Sequence, residues 1–203
     1  MPGAGRPADR PVAAPADRQV AAPLTHRPPQ PAATRPYRPQ LLYLDQNYLS
    51  GIAKRKPAFV ELEPVLRAAI ARNAIAVAES PMHEQESHPR PDLGLLELLR
   101  ELSGGRRLPD QPPRAALRAR RRMAWTVEHE LPDRRPRASD AADLDAIALA
   151  LTHCDLVTCD AFMCDVVKRS RLEIRYGSEL FTGRRRDVVR LRRRLIELAE
   201  AIH

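Results

Sequence analysis

Short apolar runs that end at an acidic residue restrict the fold of this chain more than any other feature. LLYLD (41–45) and LVTCD (156–160) each end in an aspartate, and AIAVA (74–78) is a third apolar run of similar length. Runs of this length, bounded by polar residues, predict buried strands. Because segments with helical periodicity lie between them, we expect a parallel sheet with helices on both faces, a three-layer α/β/α fold.

The helical segments show apolar residues at three- and four-residue spacing together with end signals. Asn73 is placed to end one helix, and Gly104 with Gly105 to end another. The later segments are predicted as three helices, RAALRARRRMAWTVEHEL, DLDAIALALTHC and AFMCDVVKRS, and a short edge strand, LEIRYG (172–177). The last segment predicts a terminal helix that buries Val188, Leu191, Leu195, Leu198 and Ile202.

The first forty residues differ in composition from the rest of the chain. They contain ten of the 20 prolines and show no apolar periodicity. We therefore expect residues 1–39 to form a disordered tail, residues 40–183 to form the folded domain, and residues 184–203 to form a basic amphipathic helix packed on that domain.

The net charge of +8 overstates the basic character of the folded part. Residues 1–40 contain six Arg and two Asp, which leaves the remaining chain at +4. The later arginines are clustered at residues 118–122, 134–137, 184–186 and 190–194, a pattern typical of either phosphate binding or a solvated surface. Since aromatic residues make up only 4%, a base-stacking surface is not expected.

Several classes of protein are disfavoured. No run approaches the roughly 20 apolar residues of a membrane span, and the amino terminus lacks a secretory apolar region, so we expect a cytoplasmic protein without membrane contact. Cys154, Cys159 and Cys164 lie within eleven residues and are predicted to be reduced thiols rather than disulfides or zinc ligands. Neither a Gly-x-Ser-x-Gly elbow nor a glycine-rich phosphate loop is present in the sequence.

Acidic residues follow the predicted strands at the edge where parallel sheets carry their sites. Asp45 ends the first run, Glu84 and Glu86 follow the second, and Asp160 ends the run that begins at Leu156. A single acid after a strand is usually a helix N-cap or a solvated loop residue. Several of them at equivalent strand ends indicate a shared site.

The helix that begins near Asp143 supplies a further acid. Steps of 100° place Asp143 on the apolar stripe that faces the sheet, with Asp140 close to it and Asp145 on the opposite, solvent side. Carboxylates that converge repel one another unless a cation neutralises them. An oxygen-only ligand set suits Mg²⁺ or Mn²⁺, and such an ion supports hydrolysis of a phosphodiester.

Three segments resemble the motifs of PIN-domain ribonucleases. LLYLDQNYLS (41–50) resembles their opening strand, and SDAADLDAIALALTHCDLVTCDAFM (139–163) resembles their distal acidic motif, which leads into a strand ending in Thr-x-Asp. AESPMHEQES (78–87) is similar to the middle motif in its His-x-x-Glu form, here His83 and Glu86. The order of the three segments makes the set more specific than any one of them.

The resemblance, which covers roughly residues 41–182, implies a parallel sheet of about five strands, a bound Mg²⁺ or Mn²⁺ ion and single-stranded RNA as substrate. It implies Asp45, Glu86, Asp143 and Asp160 as the catalytic, metal-binding carboxylates, with Asn47 and Thr158 as supporting polar groups. Glu84 competes with Glu86 for the second acid, Asp140 and Asp145 compete with Asp143 for the third, and Asp165 is a reserve ligand. The proline-rich tail has no counterpart in the family.

The leading hypothesis is therefore a metal-dependent endoribonuclease. The alternative is a non-catalytic module that binds nucleic acid or a partner protein through its arginine clusters. A phosphatase with Asp45 as nucleophile ranks last, because the acid that it requires two residues later is Asn47. The terminal helix also suggests contact with a cognate inhibitor or a second copy of the chain.

Overall fold

Four short parallel strands organise the part of the chain that the structure describes. The structure, a computed structural model, describes residues 38–87 and 94–202, with the backbone alone at residues 85–87. The tail expected at residues 1–39 thus lies, except for its last two residues, outside the described residues. Within them, the strands are β1 (Gln40–Tyr43), β2 (Ile75–Ala78), β3 (Leu156–Cys159) and β4 (Glu179–Thr182), in the order β2-β1-β3-β4.

Every neighbouring pair of these strands is parallel. This confirms the predicted α/β class and parallel sheet, and three of the strands coincide with the three apolar runs. The expectation of about five strands is wrong for the described residues, which form four.

Helices occupy the segments between the strands. They are α1 (Gln46–Ala53), α2 (Pro57–Ala71), α3 (Pro81–Ser87), α4 (Leu95–Ser103), α5 (Arg114–Glu130), α6 (Asp140–His153), α7 (Ala161–Arg169), α8 (Leu172–Tyr176) and α9 (Arg185–Glu200). Asn73 has the left-handed conformation expected of a residue that ends α2, and Gly104 ends α4 in the same way. In the described residues, no helix is both long enough and apolar enough to cross a bilayer.

The segment LEIRYG was wrongly predicted as an edge strand. It forms the short helix α8, which buries Leu172, exposes Ile174 and ends at Gly177 in the left-handed conformation. The edge strand is β4, two residues further on, where Leu180 and Phe181 are both buried. Five or six residues of mixed polarity do not distinguish the two structures, and the glycine at the end fits a helix cap as well as a turn.

Alternate residues of the strands belong to two separate cores. Leu42, Leu156 and Phe181 face one core, which α1, α2, α4 and α9 complete. Tyr43 and Val157 face the other, which α5, α6, α7 and α8 complete. Apolar cores on both faces are compatible with the predicted three-layer α/β/α arrangement and explain why the buried part of each strand is largely apolar.

Helix α9 lies against α2 and buries four of the five residues predicted for it, Val188, Leu191, Leu195 and Leu198. Ile202 follows the end of the helix and is only partly buried.

The strand order fixes where a site is expected. From β1 the chain crosses to β2 on one side, and β3 lies on the other side of β1. Successive strands are therefore added in opposite directions on the two sides of β1, which makes the gap between β1 and β3 the switch point of the sheet. In open parallel sheets the crevice at the carboxyl ends of such strands is the usual binding position.

Candidate functional site

A cleft lies at the carboxyl ends of β1 and β3. Its volume is about 290 Å³. Three of the predicted acids, Asp45, Asp143 and Asp160, line it together. The other lining residues are Tyr43, Gln46, Asn47, Arg137, Ser139, Ala146, Ile147, Cys159 and Met163. The structure thus brings together three acids that are distant in the sequence, at the position where the sheet topology predicts a site.

Asp45 connects the end of β1 to the start of α1. Its Oδ1 accepts the backbone N–H of Tyr48 at 3.1 Å and so caps α1, and its Oδ2 accepts the side-chain amide of Asn47 at 3.1 Å. The Thr158 hydroxyl also donates to Oδ1, at 3.1 Å. Burial raises the pKa of Asp45 to about 6; these three hydrogen bonds oppose the shift and the charge of Asp160 adds to it. Both supporting polar groups predicted from the sequence, Asn47 and Thr158, therefore contact this carboxylate.

Asp160 has the corresponding position after β3. Its Oδ1 accepts the backbone N–H of Met163 at 2.7 Å and caps α7. The alternative interpretation, in which each acid is a helix cap, is thus confirmed for Asp45 and Asp160. Capping is compatible with a place in the cleft, because Oδ2 of Asp45 and Oδ1 of Asp160 each accept one of these hydrogen bonds and keep a second lone pair.

The three acids near the start of α6 have different environments. Asp143 lines the cleft and is half-buried; burial raises its pKa, the charges of Asp160 and Asp140 raise it further, and a hydrogen bond from Ser139 opposes them. Asp140 forms a two-bond ion pair with Arg134, and the hydrogen bond from Arg134 lowers the pKa of Asp140 although burial opposes the effect. Asp145 is exposed and pairs with Arg120 at 2.6 Å. Of the three, only Asp143 lines this cleft, as its helical phase predicts.

The second acid is the least defined of the predicted ligands. Glu84 is exposed and pairs with Arg107 at 3.0 Å, and it does not line the cleft. Glu86 lies in α3, but its side chain is outside the described part of the structure. Asp165, the reserve ligand, pairs with Arg169 at 2.8 Å on the surface of α7.

His83 connects α3 to the backbone of Leu44, the residue between β1 and Asp45. Its Nδ1 accepts the backbone N–H of Ser80 at 2.9 Å, so the proton lies on Nε2, which donates to the carbonyl of Leu44 at 2.7 Å. The ring is buried and stacks on Tyr43 with 4.9 Å between centroids. Burial lowers the pKa of His83, although the Leu44 bond and Glu79 oppose the shift. His83 is therefore a neutral side chain that holds the backbone next to Asp45.

Sequence reasoning did not place Arg137 and Ser139 in the cleft. The arginine cluster at 134–137 was visible, but its position depends on the loop between α5 and α6. That loop is fixed by the ion pair of Arg134 with Asp140 and by the backbone N–H of Arg137, which donates to Asp140 at 2.8 Å. Arg137 itself forms no ion pair with another described residue, so its guanidinium is available at the cleft.

The donors in the cleft suit a hard cation. The polar side chains that line it offer carboxylate, amide and hydroxyl oxygens, the ligands that Mg²⁺ and Mn²⁺ prefer. Among residues whose side chains are described, no three His, Cys, Asp or Glu side chains are arranged to hold a metal ion, and Glu86 is not among these residues. The cysteines Cys154, Cys159 and Cys164 are free and buried.

Comparisons with protein-family models, with curated proteins and with solved structures give no match.

Proposed function

We propose that this chain is a PIN-like, metal-dependent endoribonuclease that hydrolyses phosphodiester bonds of single-stranded RNA. The observation that supports the proposal most strongly is the common cleft of Asp45, Asp143 and Asp160 at the switch point of the sheet. Glu86 is the proposed fourth carboxylate. Arg134 lies near these acids but forms two hydrogen bonds with Asp140, a carboxylate that does not line the cleft.

A Mg²⁺ or Mn²⁺ ion held by these carboxylates would activate water and offset charge on the phosphodiester. The protein groups have separate tasks. Asp45 is the most buried of the three acids, and its bonds to Tyr48, Asn47 and Thr158 keep the carboxylate in one orientation. Arg137 is placed to bind a phosphate oxygen of the RNA, since guanidinium groups match phosphate geometry.

The raised pKa values support this assignment. Desolvation raises the pKa of Asp45 and of Asp143, and Asp160 raises both further by repulsion. A cluster of like charges that share a cleft is costly without a cation, and perturbed carboxylates in a cleft are typical of functional sites.

Matched pairs of variants test the proposal. Asp143→Asn and Asp145→Asn change acids two residues apart on α6, one in the cleft and the other at the surface. Asp160→Asn and Asp165→Asn form a similar pair on either side of the start of α7. We expect cleavage of single-stranded RNA in the presence of Mn²⁺ or Mg²⁺ to be lost in Asp143→Asn and Asp160→Asn and to be retained in the two surface variants. EDTA should abolish cleavage by the unmodified chain.

Equal cleavage by all four folded variants would overturn the proposal. The alternative function, a non-catalytic module that binds nucleic acid, predicts RNA binding without cleavage and without dependence on metal. The arginines that have no ion pair within the described residues, such as Arg118 and Arg121 on α5, favour this as the second candidate.

A further inference from the structure

The chain contains one tryptophan, and its ring lies at the surface. Trp125 is 43% exposed on α5. The His129 ring stacks on it with 4.6 Å between centroids and 13° between planes, and the Arg122 guanidinium lies 4.5 Å from the ring centroid. The His129 side chain is 49% exposed. A flat group in solution can therefore join this stack on the imidazole.

The same face of α5 is rich in exposed arginines, although Glu128 lies 3.9 Å from His129 and Glu130 lies 3.9 Å from Arg122. Steps of 100° place Arg114, Arg118, Arg121 and Trp125 within a narrow sector of the helix, and all four are exposed. In the described part of the chain, none of these three arginines forms an ion pair. The sector extends over about 16 Å of the helix axis, enough for several nucleotides.

The arginines of α9 are largely engaged, by contrast. Arg192 pairs with Glu61, Arg194 with Glu179 at 2.8 Å, and Arg190 with Asp187 at 3.5 Å. Helix α9 is rich in arginine, but several of its guanidinium groups are already paired and are not available to a ligand.

We infer that the exposed face of α5, formed by Arg114, Arg118, Arg121, Arg122, Trp125 and His129, binds single-stranded nucleic acid by stacking bases on the Trp125–His129 pair and contacting phosphates with the arginines. Aromatic side chains beside a positively charged track are the usual means of binding single strands. Duplex bases are already stacked on one another and cannot use such a platform, and an acidic protein would need the arginines but not the exposed ring pair.

Further arginines follow α5 in the sequence, in the loop that leads to the cleft. Helix α5 packs on α6, and the loop that joins them contains Arg134, which pairs with the first residue of α6, and Arg137, which lines the cleft. The idea that the nucleic acid bound on α5 is also the substrate of the cleft rests on the proposed function. The binding itself does not.

The sole tryptophan makes the inference directly measurable. The measurement is made in EDTA, so that no metal-dependent cleavage occurs. Short single-stranded RNA and DNA oligonucleotides should both quench the fluorescence of Trp125. Comparison of the RNA with the DNA shows whether the sugar contributes to binding. By anisotropy of a labelled oligonucleotide, Trp125→Ala should weaken binding by about 5- to 150-fold, which corresponds to the loss of one base–aromatic stack. Trp125→Phe should recover part of the loss.

Charge variants locate the arginines that bind phosphate. Replacing Arg118 and Arg121 by Ala should reduce the slope of log affinity against log salt by roughly 0.7 for each phosphate that the variant no longer neutralises. The matched control replaces Arg185 and Arg193, two exposed arginines on α9, and should leave the slope unchanged.

The inference would be overturned by no quenching with either oligonucleotide, by unchanged affinity in Trp125→Ala, or by a larger loss of binding in the α9 control than in the α5 variant. Stronger quenching by an acidic peptide than by oligonucleotides would also overturn it and would assign the face to a protein partner. The two proposals are separable, because the ribonuclease proposal is tested by cleavage in Asp143→Asn and Asp160→Asn, whereas this inference is tested by binding in Trp125→Ala. Binding without cleavage by the unmodified chain would reject the ribonuclease activity and leave this inference intact.

Discussion

The hydroxyl of Thr158 bonds to both the backbone and the side chain of Asp45. It accepts the Asp45 N–H at 2.7 Å and donates to Oδ1 of the same residue at 3.1 Å. Both residues are buried. One side chain on β3 therefore fixes the acid that follows β1, across the switch point of the sheet.

Thr158→Val tests this relationship, because it keeps the shape of the side chain and removes the hydroxyl. The Asp45 N–H would lose its partner in a buried position, which costs about 1–3 kcal/mol. The carboxylate would also lose a donor that favours its ionised form, so the pKa of Asp45 should rise further. We expect a lower free energy of unfolding in urea, with a larger difference at high pH than at low pH. Thr158→Ser, which keeps the hydroxyl, is the control, and equal stability of the Val and Ser variants would contradict the expectation.

Asp45→Asn should make the protein more stable at neutral pH. Burial raises the pKa of Asp45 from 3.8 to about 6, so the folded state binds this proton more tightly than the unfolded chain does. The resulting stability is fully present below pH 3.8 and is lost as the pH rises through about 6. Two pKa units correspond to about 3 kcal/mol, an upper bound because Asn accepts hydrogen bonds less strongly than a carboxylate.

Urea unfolding at several pH values measures this effect. The stability advantage of Asp45→Asn should be largest above pH 6 and should disappear as the pH approaches 3.8. Asp145→Asn, at the surface, should show no such gain. A variant that is less stable than the unmodified chain at every pH would show that the buried charge is already compensated.

A divalent cation bound in the cleft should offset the charge repulsion among the buried acids and so raise the free energy of unfolding. If the cleft binds Mn²⁺, the ion competes with the proton on Asp45, so affinity should rise as the pH increases through about 6. Excess Mn²⁺ at about a hundred times its dissociation constant should stabilise the folded state by about 2.7 kcal/mol, which thermal unfolding detects. The increase in Tm should vanish in Asp160→Asn and persist in Asp165→Asn. An equal increase in both variants would place the ion elsewhere.

The sequence allowed a close prediction of the strands that are buried on both faces. Runs such as LLYL and LVTC are almost entirely apolar because each face of the sheet packs on its own core, so the signal does not depend on any distant residue. The same local reasoning failed at LEIRYG. There the choice between helix and strand depends on which of two adjacent short segments pairs with β3, and only tertiary contact decides that.

The sequence predicts those residues of the candidate site whose positions are set by the end of a strand or by the face of a helix. Asp45 and Asp160 follow from strand ends, and Asp143 from its face of α6. The sequence did not show that Asp140 is neutralised by an ion pair while Asp143 is not. That difference depends on Arg134, which reaches Asp140 across an irregular loop. The place of Arg137 depends on the same loop. The exposed Trp125 stack was missed because overall aromatic content says nothing about where a single ring lies.

His83→Phe tests whether the neutral imidazole holds the backbone beside Asp45. Phe can keep the stacking on Tyr43 but leaves the Leu44 carbonyl and the Ser80 N–H without partners, so it should lower the free energy of unfolding at neutral pH by about 2–4 kcal/mol. Because burial lowers the pKa of His83 below 6.5, the unfolded chain binds this proton more readily, and the unmodified protein loses stability as the pH falls below 6.5. The variant lacks that loss, so the difference between the two proteins should narrow by up to about 1.4 kcal/mol one pH unit below 6.5. A difference that stays constant over this range would mean that the pKa of His83 is the same in the folded and unfolded states, and it would contradict this expectation.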